Sequence, residues 1–212
     1  LEARDPLQRR SVIGELASRN VVFLSLAYFG LVASLNANTT WTPQIVRAFA
    51  GSANLSLIGV IAAIPAIIAA AAMPVWGLHS DRHDERPWHL VLPLLLAAVG
   101  WLLIVASDLA SLQLLGLIAA TTGNYCAMAM FWTIPASAAI LSPGARPAGI
   151  ALINSVGQVG AAISSPVVGA LKDFTGSFTS GLLFVTAMLL VAAFFGAAAA
   201  QHVQTPGRQA VR

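Results

Sequence analysis

The chain has 212 residues, of which 58% are hydrophobic and 9% charged, and its formal net charge is +3. Soluble domains carry about 25% charged residues, so this composition excludes a soluble globular domain, which would lack the polar atoms to cover its surface. Mean hydropathy is +0.80 and the pI about 9.8, but Lys and Arg lie in loops between apolar runs, a membrane-topology pattern rather than a nucleic-acid-binding one.

Apolar runs of about 18 or more residues match a hydrocarbon core of roughly 30 Å. Backbone groups in lipid must bond internally, and the alternation of an outer-membrane barrel is absent, so each run is expected to be a helix. Residues 1–19 are polar and read as a cytoplasmic linker, with Arg4, Arg9, Arg10 and Arg19. The spans are expected at about 20–40, 55–77, 88–106, 112–135, 148–171 and 181–200, followed by a cytoplasmic tail at 201–212. Trp41 to Asn54 reads as a connection with Pro43 and Gly51, and Ser142-Pro143-Gly144-Ala145-Arg146-Pro147 as a turn. The fold class is therefore all-α membrane protein with six transmembrane helices. The start, Leu1-Glu2-Ala3-Arg4-Asp5, has no Met and no cleavable signal pattern, which predicts a piece of a longer product.

Six spans place both termini on one side of the membrane. That side then holds Arg4, Arg9, Arg10, Arg19, Arg82, Arg86, Arg146, Arg208 and Arg212, against Arg47 and Lys172 on the other. The positive-inside rule makes the richer side, and both termini, cytoplasmic, in an inner or plasma membrane.

No Asp, Glu, Lys, Arg or His falls in the middle of an expected span. Haem ligation within spans and intramembrane proteolysis need such groups, so membrane enzymes of these kinds are excluded and no cofactor is expected. His79, Asp81, His83, Asp84 and Glu85 crowd one loop but form no recognised metal-ligand motif, and no metal is expected. Cys126 is the single cysteine and reads as a small packing residue. Neutral polar residues do occur at depth: Tyr28, Asn36 and Asn38 in the first span, Thr121, Thr122, Asn124, Tyr125 and Trp132 in the fourth, Asn154 and Gln158 in the fifth. Asn154 and Gln158 are four apart and share a helix face. An amide facing lipid is costly, so this pair is expected to face protein or a water-filled cavity. Two uses remain open for such residues, interhelical hydrogen bonds and a polar solute site.

Gly77-Leu78-His79-Ser80-Asp81-Arg82-His83-Asp84-Glu85-Arg86 resembles the loop signature of major facilitator superfamily transporters, G-x-x-x-D-R-x-G-x-R. It joins the second and third spans, where that pattern sits in a six-helix half. Asp84 replaces the usual glycine, which predicts a looser turn. Tyr28-Phe29-Gly30, Trp41-Thr42-Pro43-Gln44-Ile45, Phe131-Trp132-Thr133-Ile134-Pro135 and the stretch from Gly149 to Gly160 resemble helices of the anion:cation symporter branch. That branch includes tartrate, phthalate, galactonate and glucarate transporters. The resemblance covers about Asn20 to Ala200 and implies the C-terminal six-helix half of the fold, with an N-terminal half elsewhere.

The resemblance implies proton-coupled secondary transport of a small organic anion, such as a sugar acid or dicarboxylate, by alternating access. It implies as partners the anion, protons, the bilayer and the other half, and no nucleic acid. A carrier for sugars or drugs, or a non-transporting six-span scaffold, is the alternative. Trp132 and Asn154 match positions that face the solute in that branch, and Gln158 extends the site by one turn. Tyr28, Asn36 and Tyr125 are added for their polarity and helix. Gly77, Asp81, Arg82 and Arg86 would form the gating loop. A lone half is expected not to transport.

Overall fold

Runs of Ala, Leu, Ile and Val leave the helix as the conformation that satisfies every backbone group without water. Among the described residues six long ones form: α1 (Arg19–Ala50), α2 (Leu55–His83), α3 (Arg86–Ala106), α4 (Ala110–Phe131), α5 (Arg146–Thr175) and α6 (Thr179–Gln201). All six are long and apolar enough to cross a membrane. A computed structural model of the chain describes residues 12–51, 54–83, 86–135 and 140–201, with His83, Arg86, Pro87, Ala200 and Gln201 described by backbone alone. The linker before Val12, the tail from His202 and the turn expected at Asp84 and Glu85 lie outside the described residues.

Several helix ends differ from the sequence expectation. α2 runs through the start of the expected charged loop to His83, so Asp81 and Arg82 stand on its last turn, and α5 continues to Thr175 instead of ending near 171. α1 has 32 residues, about 48 Å at 1.5 Å per residue, and runs through the expected connection to Ala50 with Pro43 inside it. One in-helix proline removes a single N–H, the one that would bond the Thr39 carbonyl, and a buried membrane helix tolerates that loss. α4 ends at Phe131 rather than near Pro135. Beyond Phe131 the chain tightens into turns: the Thr133 and Ile134 N–H groups bond carbonyls three residues back, at Met130 and Phe131, and the Thr133 hydroxyl donates to the Met130 carbonyl at 2.7 Å.

Without a hydrophobic drive between helices in lipid, close backbone approach and interhelical hydrogen bonds decide packing. α1 is the hub, against α5, α6 and α4; α3 packs on α4 and α6; α2 leans on α4 and touches α3 least. Small residues make these seams. A Cβ at Gly116 would stand 2.7 Å from the Gly100 carbonyl oxygen, so α3 and α4 meet at bare backbone. Gly30 faces the Met188 carbonyl of α6 in the same way.

α1 and α5 lie side by side in one direction. Tyr28 meets Gly157, the Phe29 carbonyl meets Gly160, and Trp41 meets Gly169. Asn36 bonds Ser165, and Gln44 accepts from Lys172 at 3.3 Å. The largest fully buried side chains, including Leu24, Leu31, Trp101, Leu117, Phe131 and Leu189, fill the centre. Val60, Ile67, Val75, Leu78 and Phe194 point outward, as lipid-facing side chains do.

Candidate functional site

The polar residues sort along α1 into two levels. The first is built on Tyr28, which is 2% exposed. Its ring stacks on Phe131 with centroids 4.7 Å apart and meets Trp132 edge-on at 4.8 Å. Gly157 of α5 closes the other side, where any side chain would strike the Tyr28 ring. Trp132 caps α4 and is half-buried, so its ring is held by Tyr28 and Phe131 while part of it stays accessible. Asn154 and Gln158 sit at this level of α5 but are exposed, beside rather than on its buried seam of Ile153, Gly157 and Gly160. Their described hydrogen bond is to each other, Gln158 Nε2 to Asn154 Oδ1 at 3.4 Å. The structure thus joins Tyr28 to Trp132, and leaves the amide pair facing away from this chain's own core.

The second level is eight residues on, about 12 Å along the helix. Asn36 and Thr40 are four apart and face α5, where the Ser165 hydroxyl donates to Asn36 Oδ1 and lies 3.1 Å from Thr40 Oγ1. Asn38 and Thr42 are also four apart and face the opposite way. Asn38 Nδ2 donates to Thr121 Oγ1 at 3.1 Å, and that hydroxyl lies 3.3 Å from Asn38 Oδ1. Tyr125, one turn from Thr121, borders with them a cavity of about 180 Å³ closed by Ala62, Pro65 and Ala66 of α2. Asn36 and Tyr125 therefore lie on opposite sides of α1.

Asn38, Thr42 and Thr121 carry this second level, and sequence reasoning did not select them as site residues. The signal was available in the interleaved spacings 36/40 and 38/42, which place two polar pairs on opposite faces of one helix. Asn124 is fully buried and neither of its side-chain polar atoms has a hydrogen-bond partner.

The gating loop is described in part. Gly77 is half-buried, and among the described residues a Cβ there would meet only the Met130 methyl at 3.8 Å, so no close approach among them requires the glycine. Asp81 and Arg82 are exposed. A clasp lies just before them: Trp76 Nε1 donates to the His89 carbonyl at 2.9 Å, and His79 Nδ1 lies 2.8 Å from His89 Nε2. At the far end of the bundle, Arg47 and Lys172 occupy the last turns of α1 and α5, where cations offset the helix dipoles. Lys172 Nζ also sits 4.4 Å over the Phe178 ring. An apolar groove of about 610 Å³ between α2, α3 and α4 has Trp76, Thr122 and buried Cys126 in its wall. Among the described residues, no group of three His, Cys, Asp or Glu could hold a metal ion.

Membrane-length helices with neutral amides, hydroxyls and aromatic rings at depth define an integral membrane helix bundle. The chain belongs to the Major Facilitator Superfamily, whose family model matches residues 5–211. It is 41% identical over 183 residues to a protein of Agrobacterium vitis named "Putative tartrate transporter", covering 86% of this chain and 40% of that one. A second Agrobacterium vitis protein of that name is 40% identical over 183 residues, 86% of this chain and 41% of the relative. A "Quinolone resistance transporter" of Acinetobacter baumannii is 29% identical over 186 residues, 88% of this chain and 42% of that one. The chain thus spans about two fifths of the length of these relatives. The tartrate names agree with the branch that the sequence motifs resemble.

Proposed function

We propose that the chain is the C-terminal six-helix half of a secondary active transporter for a small organic anion, a sugar acid or dicarboxylate. The observation that carries this reading is the outward-facing pair Asn154 and Gln158 in the middle of a membrane helix. Amides in that position need protein or water beside them. A second bundle across an aqueous path supplies both, and alternating access by rocking of two halves follows from that arrangement. Similarity to relatives named for tartrate supports the anion class.

In this reading Trp132, braced by Tyr28 and Phe131, packs on the solute, and Asn154 and Gln158 bond its hydroxyls or carboxylate. Asn36 and Tyr125 border the path at the level above. Gly77, Asp81, Arg82 and Arg86 steady the gate at the cytoplasmic side, where both ends of the chain also lie. Coupling is to protons, with the titrating carboxylates on the other half. The chain acts as a carrier wall and not as an enzyme. The test is uptake of labelled L-tartrate into proteoliposomes under an inward proton gradient. The product of the native reading frame should take it up, and the 212-residue chain alone should not. Uptake by the isolated chain, or none by the native product, would sink the proposal. The relative named for quinolone resistance favours a second reading, a drug carrier; a quinolone efflux arm in the same vesicles separates the two.

A further inference from the structure

We propose that the cavity between α1, α2 and α4 is a hydroxyl-reading subsite for a polyhydroxylated acid, with Asn38, Thr42, Thr121 and Tyr125 as its polar wall. The inference rests on the organic-anion reading above and adds a separate stop on the solute's path, about 12 Å along α1 from the Trp132 level, where the solute's hydroxyls are read. The cavity holds about 180 Å³, room for about six waters at their liquid volume or for a four-carbon acid. Its polar wall comes from α1 and α4, and α2 closes it with Pro65 and two alanines. Every side-chain polar group in that wall is neutral and both donates and accepts. A carboxylate only accepts and an ammonium only donates. Donors in the wall can bond a carboxylate too, but a hydroxyl uses both the donor and the acceptor capacity of each group, so hydroxyls are what this wall complements most fully.

Thr42 shows that the wall has unused capacity. It is 7% exposed, and its Oγ1 has no hydrogen-bond partner. A threonine or serine inside a helix ordinarily bonds the carbonyl four residues back. Ser25, Ser155, Thr175 and Thr186 all do so here, and Thr42 does not. One residue further on, Pro43 lacks the N–H that would occupy the Thr39 carbonyl, and Thr39 lines the same cavity. A hydroxyl with no partner and a carbonyl that lacks its regular helix donor thus belong to residues of one wall. Thr121 is at the middle of α4, and Asn38 is about one turn from the middle of α1. That is the depth at which transporters of this architecture hold solute. Helix–helix bonding explains the Asn38–Thr121 pair, but not the unpartnered Thr42 or the space beside it.

The probes are L-tartrate and succinate, which share a four-carbon dicarboxylate skeleton and differ by two hydroxyls. Uptake is measured in proteoliposomes holding the native reading-frame product. The expected result is a tartrate KM at least about tenfold below that of succinate. Thr42→Val should raise the tartrate KM about tenfold, leave the succinate KM unchanged, and not lower the melting temperature, because it deletes a hydroxyl that has no partner. Thr42→Ser should restore tartrate. Tyr125→Phe, read in the same way, replaces Thr42→Val should that variant not accumulate. If the native product takes both acids alike, or the variants still discriminate, the subsite is refuted and the transport reading stands. If the native product takes neither acid, the transport reading itself fails.

Discussion

The Asn38–Thr121 pair allows a double-mutant cycle whose outcome is set by burial. Thr121→Val removes the hydroxyl and keeps the side chain's shape, leaving the Asn38 amide, 4% exposed, with neither of its two hydrogen bonds. A stranded buried polar group costs about 1–3 kcal/mol, while interhelical bonds in membranes average about 0.6 kcal/mol each. Two such bonds give a coupling of about 1 kcal/mol. Asn38→Leu should cost less than Thr121→Val, since the orphaned hydroxyl can turn back to the carbonyl four residues earlier. The double variant should lie close to the parent, because nothing polar is then stranded. The assay is unfolding of the chain in mixed micelles titrated with SDS, followed by tryptophan fluorescence. Additive losses, with coupling below about 0.3 kcal/mol, would refute the pairing.

At the α3–α4 seam, Gly116→Ala should lower the melting temperature, with a loss of about 1–3 kcal/mol from overpacking against Gly100 and Ile104. Gly59→Ala on α2, with nothing within 4 Å, should instead be neutral or gain about 0.5–1 kcal/mol by helix propensity in the same melt. Trp76→Phe deletes the bond to the His89 carbonyl and should cost about 1 kcal/mol, seen as faster hydrogen exchange at the end of α2; unchanged exchange would show that the clasp does not hold α2 to α3. Asn154→Leu with Gln158→Leu should leave the chain's own stability unaltered, since both side chains are exposed, and reduce tartrate uptake by the native product at least about tenfold.

Six membrane helices were legible in the sequence because hydrocarbon thickness and backbone bonding leave no other solution for runs this long and this apolar. The reach of α1 past Trp41 was not, since Pro43 reads locally as a stop while a buried helix absorbs it. Polarity and helix membership added Tyr28, Asn36 and Tyr125 to a candidate list that the resemblance had opened with Trp132 and Asn154 and that Gln158 extended by one turn. Only the packing of α1 against α4 and α5 separates Tyr28 and Trp132 from Asn36, and Asn36 from Tyr125. Which neighbour each face of α1 meets depends on contacts more than 80 residues apart in the chain, such as Asn38 with Thr121 and Asn36 with Ser165, and no local spacing encodes them. What Gly77 packs against is likewise a matter of neighbours, and among the described residues the nearest to a Cβ there is a single methyl group.

The parallel seam between α1 and α5 has a mechanical consequence. It is fastened at Tyr28, Phe29, Asn36, Trp41 and Gln44, along the middle stretch of the helix. Two rods tied at so many rungs cannot slide or twist independently, and tilting either one drags its companion through the same angle. The amides on the outer side of α5 and the hydroxyls on the far side of α1 are therefore carried on a single stiff lever. A force applied to one set is felt by the other without any loop or hinge to relay it.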